Sequence, residues 1–173
     1  MLTRSNGKVA PQQGLKVAGV AVTWDAYDMG HEMERIDPSA FLASLEEPGE
    51  ITLLWNHDTS KPLARVRAGN LRIYTDENGL GFEATLPNTE DARTAHELIR
   101  SGVVTQCSFG FIVKQERYEK APDGKPVRVI TEADLREVSI VTFPANPATS
   151  VSARASTAAP QRKAIYLPPR YEG

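Results

Sequence analysis

The chain has one cysteine, Cys107, among 173 residues. It can therefore form no intramolecular disulfide and carry no cysteine-rich metal site, a usage that fits a reducing compartment. Long apolar runs are also missing. No stretch approaches the roughly 18 apolar residues of a membrane span, and residues 1–14 are polar, without the apolar core of a signal peptide. Neither a membrane partner nor export by that route is expected. An excess of one charge is absent too: 20 Lys and Arg against 22 Asp and Glu leave a formal net charge of -2. That balance offers no global attraction to nucleic acid or anionic lipid, and no specific nucleic-acid partner is expected. With only three histidines, imidazole chemistry has few bearers. No internal repeat is visible.

What is present is an ordinary globular composition, 40 % hydrophobic and 24 % charged, enough for one domain with a real core. Lys16 to Trp24 alternates as a strand does, and Asp37-Pro38 offers an N-cap and a first-turn proline for a short helix through Phe41, Leu42 and Leu45. Ile51 to Asn56 reads as a buried strand. Leu63 to Leu86 reads as a strand pair with a turn at Asp76-Glu77-Asn78-Gly79. Asn88 to Arg100 carries Ala92, Ala95, Leu98 and Ile99 at helical spacing, with Asn88 or Thr89 as cap and Gly102 just beyond. Strand patterns return at Val103 to about Tyr118, Val127 to Thr131 and Leu135 to Phe143, broken by Pro122-Asp123-Gly124-Lys125-Pro126. The sum is an α+β domain, a mainly antiparallel β-barrel of about seven strands with two or three surrounding helices. Residues 1–15 read as a flexible leading segment and 16–150 as the domain. Beyond Pro147 the composition shifts to Ala, Ser, Thr, Pro and Arg, so 151–173 read as a flexible tail.

Three strand-like segments each hold one residue able to do proton chemistry: His57, Ser108 and Glu137, the types of a base, a nucleophile and an orienter. A serine hydrolase is the reading. Alternation puts Cys107, Phe109 and Phe111 on the packed face and Ser108 and Gly110 on the leaner one, with Gly110 leaving room for a backbone to approach. Cys107, the rival nucleophile, thereby becomes an inert small hydrophobe. His31 and His96 read as solvated. His57 is equally well a strand-end histidine capping a loop, and the residues alone favour Glu137 as a rim carboxylate paired with Arg136 or another surface base over a catalytic one. Asp58 beside His57 could suggest a metal pair, but adjacent strand residues face opposite ways and no third ligand is suitably spaced; no metal and no cofactor are expected.

Asn56-His57-Asp58, the Ser108-Phe109-Gly110-Phe111 strand, and Leu135-Arg136-Glu137-Val138-Ser139 running into Phe143-Pro144-Ala145-Asn146-Pro147 together resemble the prohead (capsid maturation) proteases of tailed phages, with the likeness covering roughly Lys16 to Ala148. The resemblance implies a fold akin to the herpesvirus assembly proteases, a serine nucleophile at Ser108 and a histidine base at His57. Glu137 is then the third member, with Asp58 its competitor. It also implies substrates: scaffold, the N-terminal region of the major capsid protein, and the enzyme itself, cut inside the immature prohead in the host cytoplasm. A homodimer is a further implied partner. No Gly-x-Ser-x-Gly elbow is present, and the oxyanion donors are sought in the proline-bracketed Ala145-Asn146 loop, as backbone amides or the Asn146 side chain. Self-cleavage is expected in the tail beyond Val151. A non-enzymatic scaffold or decoration protein is the alternative from another class.

Overall fold

A computed structural model describes residues 14–154. In chain order it contains β1 (Leu15–Thr23), β2 (Tyr27–Asp28), β3 (Met33–Ile36), α1 (Leu42–Glu46), β4 (Thr52–Trp55), β5 (Asp58–Arg65), β6 (Leu71–Thr75), β7 (Gly79–Leu86), α2 (Glu90–Arg100), β8 (Gln106–Lys120), β9 (Pro126–Val141) and β10 (Ser150–Arg154). A four-stranded antiparallel sheet runs β10-β1-β7-β6, and a six-stranded sheet runs β2-β3-β9-β4-β5 with β8 added on β9.

The expected α+β antiparallel barrel is not what forms. Strands dominate, helices are few, and the two sheets stay open. The six-stranded sheet is mixed, because β3 and β4 both run parallel to β9. The two strand patterns at 127–131 and 135–143 prove to be one 16-residue strand. β8 lies antiparallel along one edge of it, from Pro126 to Val141. The other edge is shared by β3 at Val127–Ile130 and β4 at Glu137–Ile140. Between them the backbone is satisfied by the α1 region: Ala133 N donates to Ala40 O at 2.9 Å and Leu135 N to Ser44 Oγ at 2.9 Å. A split edge of this kind has no signature in residue alternation, which reports faces and not neighbours.

Local chemistry explains the remaining elements. At the β6–β7 turn Asp76 Oδ1 accepts the amides of Asn78 at 2.8 Å and Gly79 at 3.3 Å, an Asx-type turn. Gly79 has φ 153°, and a Cβ there would meet Val22 O at 2.0 Å, so a side chain would push β7 off β1. Helix α2 begins where Thr89 Oγ1 accepts Ala92 N at 3.3 Å, with Glu90 and Asp91 in its first turn. The first helix starts later than Asp37-Pro38 suggests. Asp37 Oδ1 instead holds Ser39 N and Oγ in a turn, and α1 follows from Leu42. Likewise β8 begins at Gln106, leaving Val103 68 % exposed rather than on the packed face. The expected boundary at 150 falls at the start of β10, which pairs with β1 from Lys16↔Arg154 to Val20↔Ser150. Residues 155–173, the rest of the expected tail, lie outside the described residues.

The core lies between the sheets and under α2. Phe41, fully buried, meets Phe109 and Phe111 edge-on with centroids 6.0 Å away in each case, and those two rings stack at 5.1 Å. This cluster pins the segment after β3 to the strand that carries Ser108. Phe41→Ala should lower stability by about 3–5 kcal/mol. Urea unfolding would check it; a loss under about 1 kcal/mol would mean that the cluster collapses on itself and does not brace β8.

Candidate active site

His57 does not end a strand as expected but sits in the two-residue turn of the β4–β5 hairpin, between the paired Trp55 and Asp58. Asn56 has φ 50° and His57 φ 60°, the positive values that a type I′ hairpin turn demands at both central residues. Asn accepts that conformation readily; His pays on the order of 1 kcal/mol for it. The turn is tied to β9 so that the strained conformer persists. Asn56 N donates to Ile140 O at 2.9 Å, and Asn56 Oδ1 accepts Thr142 N at 3.1 Å.

That tether places His57 Nδ1 2.6 Å from Glu137 Oε1. The imidazole side chain remains 46 % exposed and the glutamate 15 %. Glu137 thus pairs with the histidine, and the reading of it as a rim carboxylate on Arg136 does not hold; Arg136 instead lies 3.6 Å from Asp134. The second carboxylate oxygen, Oε2, accepts Ser139 Oγ–H at 2.5 Å, while Ser139 Oγ accepts the His57 backbone N–H at 3.2 Å. Fully buried Ser139 therefore braces both partners at once. Sequence reasoning missed it. The available signal was a hydroxyl two residues from Glu137 and so on the same face of one strand.

Ser108 stands directly across from Ser139 on β8, and Gly110 directly across from Glu137. Ser108 is 6 % exposed and shares its face of the sheet with Ser139 and Glu137, since residues opposite one another point the same way. No hydrogen bond joins Ser108 Oγ to the His57 ring among the described residues. Such bonds are often open until substrate binds. The space beside Gly110 is not left for a substrate backbone, as expected, but filled by Glu137: a Cβ on Gly110 would sit 2.5 Å from Glu137 Oε1.

The other candidates are placed elsewhere. Cys107 is fully buried, its Sγ donates to Ser150 O at 3.4 Å, and burial pushes its thiol far above the ordinary range, so no thiolate is available. Asp58, the rival acid, turns to Ser60, accepting its amide at 2.9 Å and hydroxyl at 2.6 Å; the Ser60 hydroxyl holds its carboxyl below the usual value. Asn146 is 2 % exposed, and its side chain is spent on Ala148 N at 2.9 Å and Thr23 Oγ1 at 3.4 Å, so the carboxamide braces the loop and is not turned out as a donor. Ala145 beside it is exposed. His31 is open to solvent as expected, whereas His96 is half-buried with an unpartnered Nε2.

Comparison with known proteins gives the family of the chain. The prohead protease of Enterobacteria phage HK97 is 30 % identical over 122 residues, which is 69 % of this chain and 52 % of that protein. The chain therefore spans about half the length of that relative. The sequence profile of the caudovirus prohead serine proteases matches residues 3–164, nearly the whole chain. With that match added to a histidine–glutamate pair beside a strand serine, the chain belongs to the caudovirus prohead serine protease family.

Proposed function

We propose that the chain is a serine endopeptidase of capsid maturation, with Ser108 as nucleophile, His57 as general base and Glu137 as orienter. The single observation that carries the assignment is the 2.6 Å contact of His57 Nδ1 with Glu137 Oε1 on the sheet face that bears Ser108. A carboxylate accepting the hydrogen bond of Nδ1–H keeps the proton on that nitrogen and leaves Nε2 as the basic one. Nε2 removes the Ser108 proton as Oγ attacks a peptide carbonyl, and returns it to the leaving amine. Glu137 stabilises the imidazolium in between. Ser139 is a positioning residue. It occupies the oxygen of Glu137 that His57 does not use, so the carboxylate cannot rotate away. For the oxyanion, the engaged Asn146 side chain leaves the backbone amides of the Ala145-Asn146 loop as the candidates from that pair.

The substrates that fit the family are capsid-assembly proteins: scaffold, the N-terminal region of the major capsid protein, and the protease itself inside the immature prohead. Self-cleavage beyond Val151 has a structural limit, because Ser150–Arg154 is paired with β1. The bonds beyond Arg154 lie outside the described residues, and the proposed cut is placed there. Intact-mass measurement over time should show loss of the segment after Arg154 in wild type and a whole chain in Ser108→Ala. Equal trimming in both would assign the cut to host proteases.

Co-expression with the cognate capsid and scaffold proteins, read by mass spectrometry of all fragments, tests the main proposal. Ser108→Ala should stop processing, with a rate loss of at least about a thousandfold, and a near wild-type fragment pattern would overturn it. Glu137→Gln should fold normally yet turn over roughly a hundredfold or more slower. Ser139→Ala should lower kcat about tenfold to a hundredfold, the worth of one hydrogen bond to a charged group, with KM little changed. Placed on Glu137→Gln, the same change should cost under about threefold more, because the two act as one unit. Full additivity of the two losses would make Ser139 a packing residue only. Gly110→Ala should keep the fold but cut turnover, since its methyl group displaces the Glu137 carboxylate; unchanged kcat would show that the carboxylate position is not critical.

A further inference from the structure

Backbone direction along β8 sets apart the residue that follows the nucleophile. In an antiparallel pair each residue aims its N–H and C=O at one edge of the strand, and successive residues aim at opposite edges. Two independent contacts fix the phase here. Ile140 O accepts Asn56 N at 2.9 Å on the β4 side of β9, so Ile140 turns away from β8, where Cys107 stands opposite it. Cys107 sends both of its own backbone groups outward: its N–H donates to Thr149 Oγ1 at 3.1 Å, and its C=O accepts the Thr149 hydroxyl at 2.6 Å. Ser108 and Ser139 are therefore a hydrogen-bonded pair, with Ser108 N–H spent on β9, and Phe109 points outward again.

The outer edge of β8 is closed up to Cys107 and free from Phe109. Before the serine, Val151 N donates to Thr105 O at 2.9 Å, and buried Thr149 takes both groups of Cys107. After it, β8 pairs with β9 alone, and neither Phe109 nor Phe111 has a backbone partner on the outer edge among the described residues. Gln106 Nε2 donates to Pro147 O at 3.1 Å, so the segment that closes the edge is continuous with the Ala145-Asn146 loop. An unpaired N–H in a half-buried strand residue is uncommon, and a catalytic role is one of the reasons for it.

Resting on the protease reading above, we infer that the Phe109 backbone N–H is an oxyanion donor for the carbonyl that Ser108 attacks. As Ser108 Oγ bonds to the carbonyl carbon, an electron pair of the C=O bond moves onto its oxygen and the serine proton moves to His57 Nε2. The Phe109 N–H donates to that oxygen until the pair returns and the amine leaves with the proton from Nε2. One peptide bond ties this donor to the attacking residue, so the distance of about 2.7–3.1 Å that an oxyanion needs is met without a segment moving in. Hydrolases with a nucleophile elbow use the amide after their serine in the same way; here a strand edge presents it without an elbow. The peptide is held on both sides. Thr149 clamps Cys107 before the serine, and after it the Phe109 ring packs on Phe41 and Phe111, with centroids 6.0 and 5.1 Å away.

Replacing Phe109 by phenyllactic acid in the full chain turns this N–H into an ester oxygen and keeps the side chain. Phe111 has the same side chain and the same outward direction, so the same replacement there is a matched control; each ester also weakens one carbonyl that bonds to β9. With the cognate capsid protein as substrate, the ester at 109 should lower kcat about a hundredfold to a thousandfold. KM should change little, and the pH profile of kcat/KM should stay in place, because His57 and Glu137 are untouched. The ester at 111 should stay within about threefold of wild type. Both should melt together, since neither N–H has a partner in the fold. If only the ester at 109 unfolds, this N–H is a structural donor and not an oxyanion donor. Wild-type turnover by the ester at 109, or equal slowing by the ester at 111, likewise removes Phe109 from the oxyanion hole while the protease assignment stands. If wild type, like Ser108→Ala, leaves the capsid and scaffold proteins uncut on co-expression, it is the protease assignment that falls.

Discussion

Strand β9 is hydrogen-bonded along both edges, and the whole arrangement of the site hangs on that double pairing. On one edge it carries β8 and therefore Ser108; on the other it carries β4 and therefore the His57 turn. Glu137 and Ser139 on β9 itself stand between them. A strand bonded on both sides cannot slip by one residue without turning Glu137 and Ser139 to the core and Val138 and Ile140 to the outside. Burial of those two apolar side chains at 0 % exposure thus enforces the position of the polar pair. Hydrophobic burial and proton chemistry are set by the same register.

Strain and satisfaction are balanced at the hairpin tip. A left-handed histidine is unfavourable by itself, but its N–H finds Ser139 Oγ, its ring finds Glu137, and its neighbour Asn56 is bonded twice to the end of β9. Each buried polar group of the cluster has a partner, which is the condition under which a polar network rigidifies and does not destabilise. Gly110 completes it by absence: only a residue without a side chain leaves room for the carboxylate. The same logic explains why Cys107, one residue from the serine, is inert. Alternation sends it into the core, where burial disfavours the thiolate.

Much of the site was legible because it is local chemistry. The candidate residues could be picked by type, and the Asp76–Gly79 turn and the Thr89-capped helix follow from side-chain preferences over a few residues, whereas His57 sits in a turn and not on a strand, and Ser108 is buried and not on an open side of β8. The family likeness was legible for the same reason, since it resides in short motifs and their order. Less legible were the ends of elements. α1 and β8 begin later than their patterns suggest, and β10 pairs where composition alone reads as a tail.

By itself the sequence determined which side chains could do chemistry and that strands dominate around them, although not in the α+β barrel it suggested. Only the tertiary structure decided that Glu137 rather than Asp58 meets the imidazole, that Ser139 braces both, and that β3 and β4 lie parallel to a single long strand in open sheets and not in a closed barrel. The reason is physical. Alternation and propensity act within a segment, whereas His57 and Glu137 are 80 residues apart in the chain and meet only through the pairing of β4 with β9. That pairing is selected by how well the buried faces of all the strands fill one core together.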